Sequence, residues 1–199
     1  MRFFRTGMMK KNMGMVFILA LVLAQSFLFV SGCASLGTRQ ARPKSPLPKE
    51  KVPRGIEELV KIKVTPEFNF GFDRMRPGVL QHLDRQYTYD VVPPELMNGL
   101  LFQGIHRPPK GTAIEIELLA PAKIYFFFHH REDGGYTDIF SKLKGWKRSA
   151  MFPQYDIHHG DHGLNMVMYQ LEADAGIYAI APTTKDRACF SIVFQPKNR

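Results

Sequence analysis

Histidine offers more chemistry than any other residue type in this chain, which carries 7 of them in 199 residues. His129-His130 closes the Phe-rich run from Ala122 to Arg131. A second polar segment reads Asp156-Ile157-His158-His159-Gly160-Asp161-His162-Gly163. Imidazole and carboxylate together suit zinc or another borderline divalent ion. If the second segment folds back over the end of the first, His129, His130, His158, His159 and His162 form a metal site. The domain is then a metal-binding protein or a metal-dependent enzyme. His158 and His162 stand four apart, but the glycines around them argue against a shared helical face, and no HExxH pattern is present. The plainer alternative is a solvated loop of neutral histidines with no cofactor, and that is the expectation adopted.

Other catalytic chemistry finds little to build on. No Gly-x-Ser-x-Gly elbow and no phosphate-binding glycine loop is present. A carboxylate pair for glycoside hydrolysis can be drawn among Glu115, Glu117, Asp133 and Asp138. The alternation around Glu115 and Glu117 marks them instead as a solvent face. Cys189 lies in the strand-like Ala188-Cys189-Phe190-Ser191-Ile192-Val193 and reads as a buried, inert thiol. Tyr136, Trp146 and Tyr155 fall in or near loops, where exposed rings stack on sugars or anchor interfaces. The alternative for Trp146, the one tryptophan, is a plug at the end of the core.

The elements that must position these residues are strands. Leu59 to Val64 alternates apolar and basic residues, as a half-buried strand does. Tyr87 to Val92 is β-branched and aromatic and stops at Pro93-Pro94. Leu100 to Ile105 is a short apolar run. Thr112 to Leu119 puts Ile114, Ile116 and Leu118 on one face. Ala122 to Arg131 is apolar on both faces, as in the middle of a sheet covered on each side. Asn165 to Ala173, Gly176 to Ala181 and Ala188 to Gln195 follow, with Asp174-Ala175-Gly176 and Pro182 to Asp186 as turns. Thr137 to Lys147 is the best helical candidate, with Ile139, Phe140 and Leu143 on one face and Gly145 to end it. The pattern predicts an all-β fold, an antiparallel, jelly-roll-like β-sandwich with a short helix or loop near 137–147.

Asp90-Val91-Val92-Pro93-Pro94-Glu95-Leu96, Ala113 to Leu119 with Ala122-Lys123-Ile124-Tyr125, and Leu143-Lys144-Gly145-Trp146 follow one another in that order. Together they resemble a β-sandwich module found beside bacterial polysaccharide-degrading enzymes. There a Val-Pro-x-Glu-Leu opening leads to a strand pair and a Trp-containing loop, and an Ala-Gly turn like Asp174-Ala175-Gly176 opens a final hairpin. The likeness spans residues 90 to 195. The first tryptophan of that loop is absent here, where Ser141-Lys142 stands. The resemblance implies the sandwich more than any sugar specificity.

The N-terminus carries a separate signal. Arg2, Arg5, Lys10 and Lys11 precede an apolar run from Met13 to Val30, which exits into Val30-Ser31-Gly32-Cys33-Ala34. This resembles the lipobox of bacterial lipoproteins. The resemblance implies removal of residues 1–32 and a diacylglycerol thioether on Cys33, with palmitate. Small residues let the backbone enter a peptidase cleft, and cysteine supplies the thiolate for thioether formation. The alternative is an uncleaved anchor, which Gln25 and Ser26 interrupt. Ala34 in place of Asp favours the outer membrane of a Gram-negative envelope, again by resemblance. Residues 33–55, with Arg39, Arg42, Lys44, Lys49, Lys51, Arg54 and several prolines, read as a solvated tether. Residues 56–199 form the domain.

The formal charge of +9 is concentrated in the leader and tether, and no basic stripe with interleaved aromatics points to nucleic acid. With Cys33 lipidated, Cys189 has no disulfide partner. The expected protein is a membrane-anchored lipoprotein with a non-catalytic β-sandwich. It binds a glycan or an envelope protein, or acts in envelope assembly.

Overall fold

The computed structural model describes residues 58–156 and 164–197. The lipobox with Cys33, the tether and the 157–163 stretch holding His158, His159 and His162 lie outside the described residues.

The described chain is all-β with one short α-helix. Its strands are β1 (Val60–Thr65), β2 (Gly71–Arg74), β3 (Thr88–Val91), β4 (Leu100–Gln103), β5 (Ala113–Leu118), β6 (Ala122–His129), β7 (Lys147–Arg148), β8 (Gln154–Asp156), β9 (Leu164–Ala173), β10 (Gly176–Ile180) and β11 (Phe190–Pro196). A 3-stranded sheet has the order β1-β5-β10, and an 8-stranded sheet the order β2-β4-β11-β6-β9-β8-β3, with β7 also paired to β9. Every ladder is antiparallel.

Side-chain alternation explains the layering. Ile114, Ile116 and Leu118 of β5 are buried while Glu115 is exposed. They join Val60, Val64 and Ile180 against Ile124, Phe126, Phe128, Phe102, Ile192 and Phe194 of the large sheet. The alternate residues of the large sheet, Leu101, Tyr125, Phe127, Met166, Met168 and Val193, form a second cluster with Met75, Val79, Tyr89, Leu96 and Tyr155. The large sheet is therefore covered on both faces, and β6 is buried along both of its faces as its sequence indicates.

The helix, α1 (Tyr136–Lys142), starts one residue earlier and ends five residues sooner than the 137–147 periodicity predicts. Its start is fixed by Gly135 at φ 93, a left-handed position, and its end by Leu143 turning extended at φ −81, ψ 118. Strands β2, β7 and β8 have no counterpart in the sequence reading. β7 and β8 are 2 and 3 residues long, too short for alternation to register, and β2 is half-buried at every position and so carries no alternation.

Candidate functional site

Where β6 ends, the interior changes from phenyl rings to titratable side chains. His129 is the last residue of β6. The next turn brings in Glu132, whose N–H donates to the His129 carbonyl at 3.0 Å. Cys189, just before β11, is locked against this turn. Its N–H donates to the Glu132 carbonyl at 2.9 Å, and its own carbonyl accepts from the His129 N–H at 3.3 Å. A Cβ on Gly134 would lie 2.5 Å from the Ala188 Cβ, so only glycine permits this approach. Gln81 and His82 come from the loop between β2 and β3, held by the Gln81 N–H to the Tyr87 carbonyl at 2.8 Å. His106 follows β4, and its N–H donates to Asp84 Oδ1 at 2.8 Å.

The side chains converge on the Cys189 sulfur. Sγ lies 3.3 Å from His82 Nε2 and 3.3 Å from His129 Nδ1. His129 Nε2 is 2.9 Å from Gln81 Oε1, so that nitrogen carries the proton and donates, leaving the Nδ1 lone pair facing the sulfur. His106 Nε2 is 3.1 Å from Glu132 Oε2, while Glu132 Oε1 accepts from Arg107 Nη2 at 2.6 Å. The imidazole centroids form a triangle with sides of 5.3, 5.9 and 6.0 Å. Tyr155 stacks flat on His129 at 4.0 Å, and Tyr87 meets His106 edge-on at 5.0 Å. Only 1%, 5%, 3% and 0% of His82, His106, His129 and Cys189 is exposed.

Burial sets the protonation states. It pushes His82 down to about 3, reinforced by His106 and Arg85. It pushes His129 down to about 2, reinforced by His82 and His106. His106 is also lowered by burial, with Glu132 opposing. The Cys189 thiol is held well above its ordinary range by burial, and Glu132 adds to this. The imidazoles are therefore neutral and keep lone pairs. His106, His129, Glu132 and Cys189 each offer a ligand atom, all within 4.8 Å of one another, so the cluster has the composition and reach to hold a metal ion.

The sequence-derived site residues divide. Of the five metal candidates, His129 is in this cluster and His130 is exposed on the outside of the strand end. His158, His159 and His162 fall outside the described residues. Tyr136 and Tyr155 are not exposed stacking rings. Tyr136 is 0% exposed, because the glycine turn at 134–135 drops the start of α1 into the core between Phe126, Phe128 and Phe190. Tyr155 is buried by pairing of β8 with β3, and its phenol is pushed up to about 12, mainly by burial. Trp146 lies half-buried, edge-on to Phe140 at 4.7 Å, against the main core. The carboxylates are occupied separately: Glu117 with Lys61 at 3.2 Å, and Asp133 with the Gly135 N–H at 2.9 Å. Glu115 and Asp138 are exposed.

Sequence reasoning missed Gln81, His82, His106 and Glu132, and read Cys189 by itself. Each is a single polar residue in its own segment, and only the fold makes them neighbours. The one signal available was that His129 ends one unusually apolar strand and Cys189 immediately precedes another.

No family model matches the chain, and no curated protein matches it. Among solved structures, it is similar to a β-glucuronidase from glycoside hydrolase family 2, with a TM-score of 0.54 at 11% identity over 71% of this chain. The match spans 15% of that protein's length. At this identity the likeness establishes the β-sandwich architecture.

Proposed function

We propose that this chain is a lipoprotein of a bacterial envelope. Residues 1–32 direct export, Cys33 carries the lipid, and 33–55 space the domain from the bilayer. The sandwich of residues 56–199 then acts by binding a glycan or protein partner, not by catalysis. The observation that carries the binding reading is the likeness of the domain to a module-sized part, 15%, of a β-glucuronidase. A sandwich of that kind can serve a glycan-active assembly without holding its reactive carboxylates. Dispersal of Glu115, Glu117, Asp133 and Asp138 over a sheet face, a turn and a helix agrees with a non-catalytic role. The lipobox-like Val30-Ser31-Gly32-Cys33 supports the anchor.

The test has two arms. Cys33→Ser should leave an unprocessed precursor that takes up no palmitate analogue; equal labelling of the two proteins defeats the anchor. The full chain in detergent micelles should bind a glycan array or crosslink to an envelope protein. If both come back blank, the binding role fails.

A further inference from the structure

We propose that the cluster at the end of β6 is a structural zinc site, with Cys189 Sγ, His129 Nδ1, His106 Nε2 and a Glu132 carboxylate oxygen as its four ligands. This goes beyond the binding role proposed above and depends neither on lipidation nor on a glycan.

The geometry supplies the argument. Zinc bonds of about 2.0–2.3 Å in a tetrahedron place neighbouring ligand atoms roughly 3.3–3.8 Å apart. The S···N separation to His129 is 3.3 Å and the N···O separation between His106 and Glu132 is 3.1 Å, both already near that scale. The widest pair within the quartet needs to close by about 1 Å from its 4.8 Å limit to fit the same tetrahedron.

Unused polar atoms point the same way. Glu132 Oε2 is buried and makes no hydrogen bond, although His106 Nε2 stands 3.1 Å away. Two donor atoms held that close with no hydrogen aligned between them are placed as two ligands of one ion are. A buried carboxylate oxygen without a hydrogen bond is costly, and coordination would remove that cost.

The surrounding groups fit outer-sphere roles. Gln81 accepts from His129 Nε2–H and so fixes the tautomer that presents Nδ1. His82 Nε2, 3.3 Å from the sulfur, donates its N–H to the thiolate. Arg107 holds the second Glu132 oxygen at 2.6 Å and balances its charge. The chemistry balances simply. Zinc(II) replaces the thiol proton, an S–Zn bond forms as the S–H bond breaks, and one proton leaves to solvent. A mixed thiolate, imidazole and carboxylate set matches zinc. Four protein ligands in a buried setting leave no open position for substrate, so the ion's role is to tie together three segments distant in sequence: the residues after β4, the turn after β6 and the residue before β11.

The test uses the full chain, purified in detergent without chelator. Metal analysis after dialysis should give about one zinc per chain. Stripping with chelator should lower the melting temperature, and zinc alone should restore it in a concentration-dependent way. Cobalt(II) in the stripped protein should give a thiolate charge-transfer band. Cys189→Ser and His129→Gln should each abolish the stoichiometric zinc, whereas His130→Gln should leave it unchanged. His82→Gln should keep the site but weaken it by about 10–100-fold. The cobalt band comes from the unmutated protein, so it decides the matter even if Cys189→Ser fails to fold. The proposal is overturned if the chain neither retains nor takes up zinc. It is equally overturned if cobalt gives no thiolate band, or if one zinc survives in both Cys189→Ser and His129→Gln and so resides elsewhere.

Discussion

The middle of β6 and its end are equally dry, yet they are held in different ways. Around Phe126 the neighbours are rings: Phe140 at 4.7 Å, Tyr136 at 4.8 Å and Phe190 stacked at 5.2 Å. Three residues later, around His129, the ring spacings are similar, but the rings are imidazoles and the space among them holds a thiol. The first region is stabilised by apolar area alone, and any residue of the right bulk contributes. The second gains only as far as each polar atom finds a partner, and His82 Nδ1, His106 Nδ1 and Gln81 Nε2 have none. Burial therefore does not rank these regions by stability. Satisfaction of the buried atoms does.

Substitutions along this boundary should sharpen the contrast. The largest loss is expected from Phe126→Ala, at about 3–5 kcal/mol in urea unfolding, because the cavity would lie between Phe190 of the neighbouring strand and the Tyr136 and Phe140 rings of α1. A loss near 1 kcal/mol would mean the ring core is looser than its spacings indicate. Next comes Gly135→Ala, at about 1–3 kcal/mol. The φ of 93 is unfavourable for any side chain, and the new methyl would collide with the Thr184 side chain. A neutral result would show that the turn can shift away from the 184–188 strap.

Tyr89→Phe should cost about 1 kcal/mol, since it strands Ser191 Oγ, which its hydroxyl meets at 2.8 Å in the second cluster. Tyr136→Phe should be the smallest, within about 0.5 kcal/mol of the parent or slightly stabilising, because the Tyr136 hydroxyl has no partner to lose. The two tyrosines thus test partnering at constant bulk, and equal losses would refute the contrast.

Alkaline pH adds a further measurement on the same pair. Burial raises both phenols well above their usual range. Their contribution is therefore intact below the unfolded value of about 10 and is lost as pH climbs past it, because only the unfolded state can release the protons. Stability measured from pH 8 to 11 should fall less steeply in Tyr136→Phe than in the parent.

The same contrast explains what could be read in advance. Ile114, Ile116 and Leu118 alternate with glutamates and alanine, so β5 is visible as a strand with one core face. The run Tyr125 to Phe128 is apolar at every position, so β6 is visible as a central strand. Both features are local and periodic. The β8 strand is 3 residues long, and its Tyr155 looks like a loop aromatic until β3 is placed beside it. Tyr136 follows two glycines and reads as exposed. Its burial depends on a turn whose tightness is set by Ala188, more than fifty positions away. The cluster is the extreme case. His82 and Cys189 are 107 positions apart and touch only through the sheet order. Of the pair His129-His130, one is inside and the other outside because β6 ends between them, a boundary that alternation along a strand buried on both faces does not mark.

Strand β11 is the last in chain order, yet it sits between β4 and β6 in the large sheet. Its register couples Ile192 to both Phe102 and Phe126. Until β11 is available, β4 and β6 have no partner across the gap, and the two faces of the large sheet cannot be sealed. Such non-local pairing is slow, because loop-closure entropy is spent before contacts repay it. The fold is therefore committed late: a nascent chain cut before residue 190 should remain open to proteases. Cys189, adjoining β11, arrives at that same moment, so closure of the sheet and completion of the His/Cys/Glu cluster are a single kinetic event.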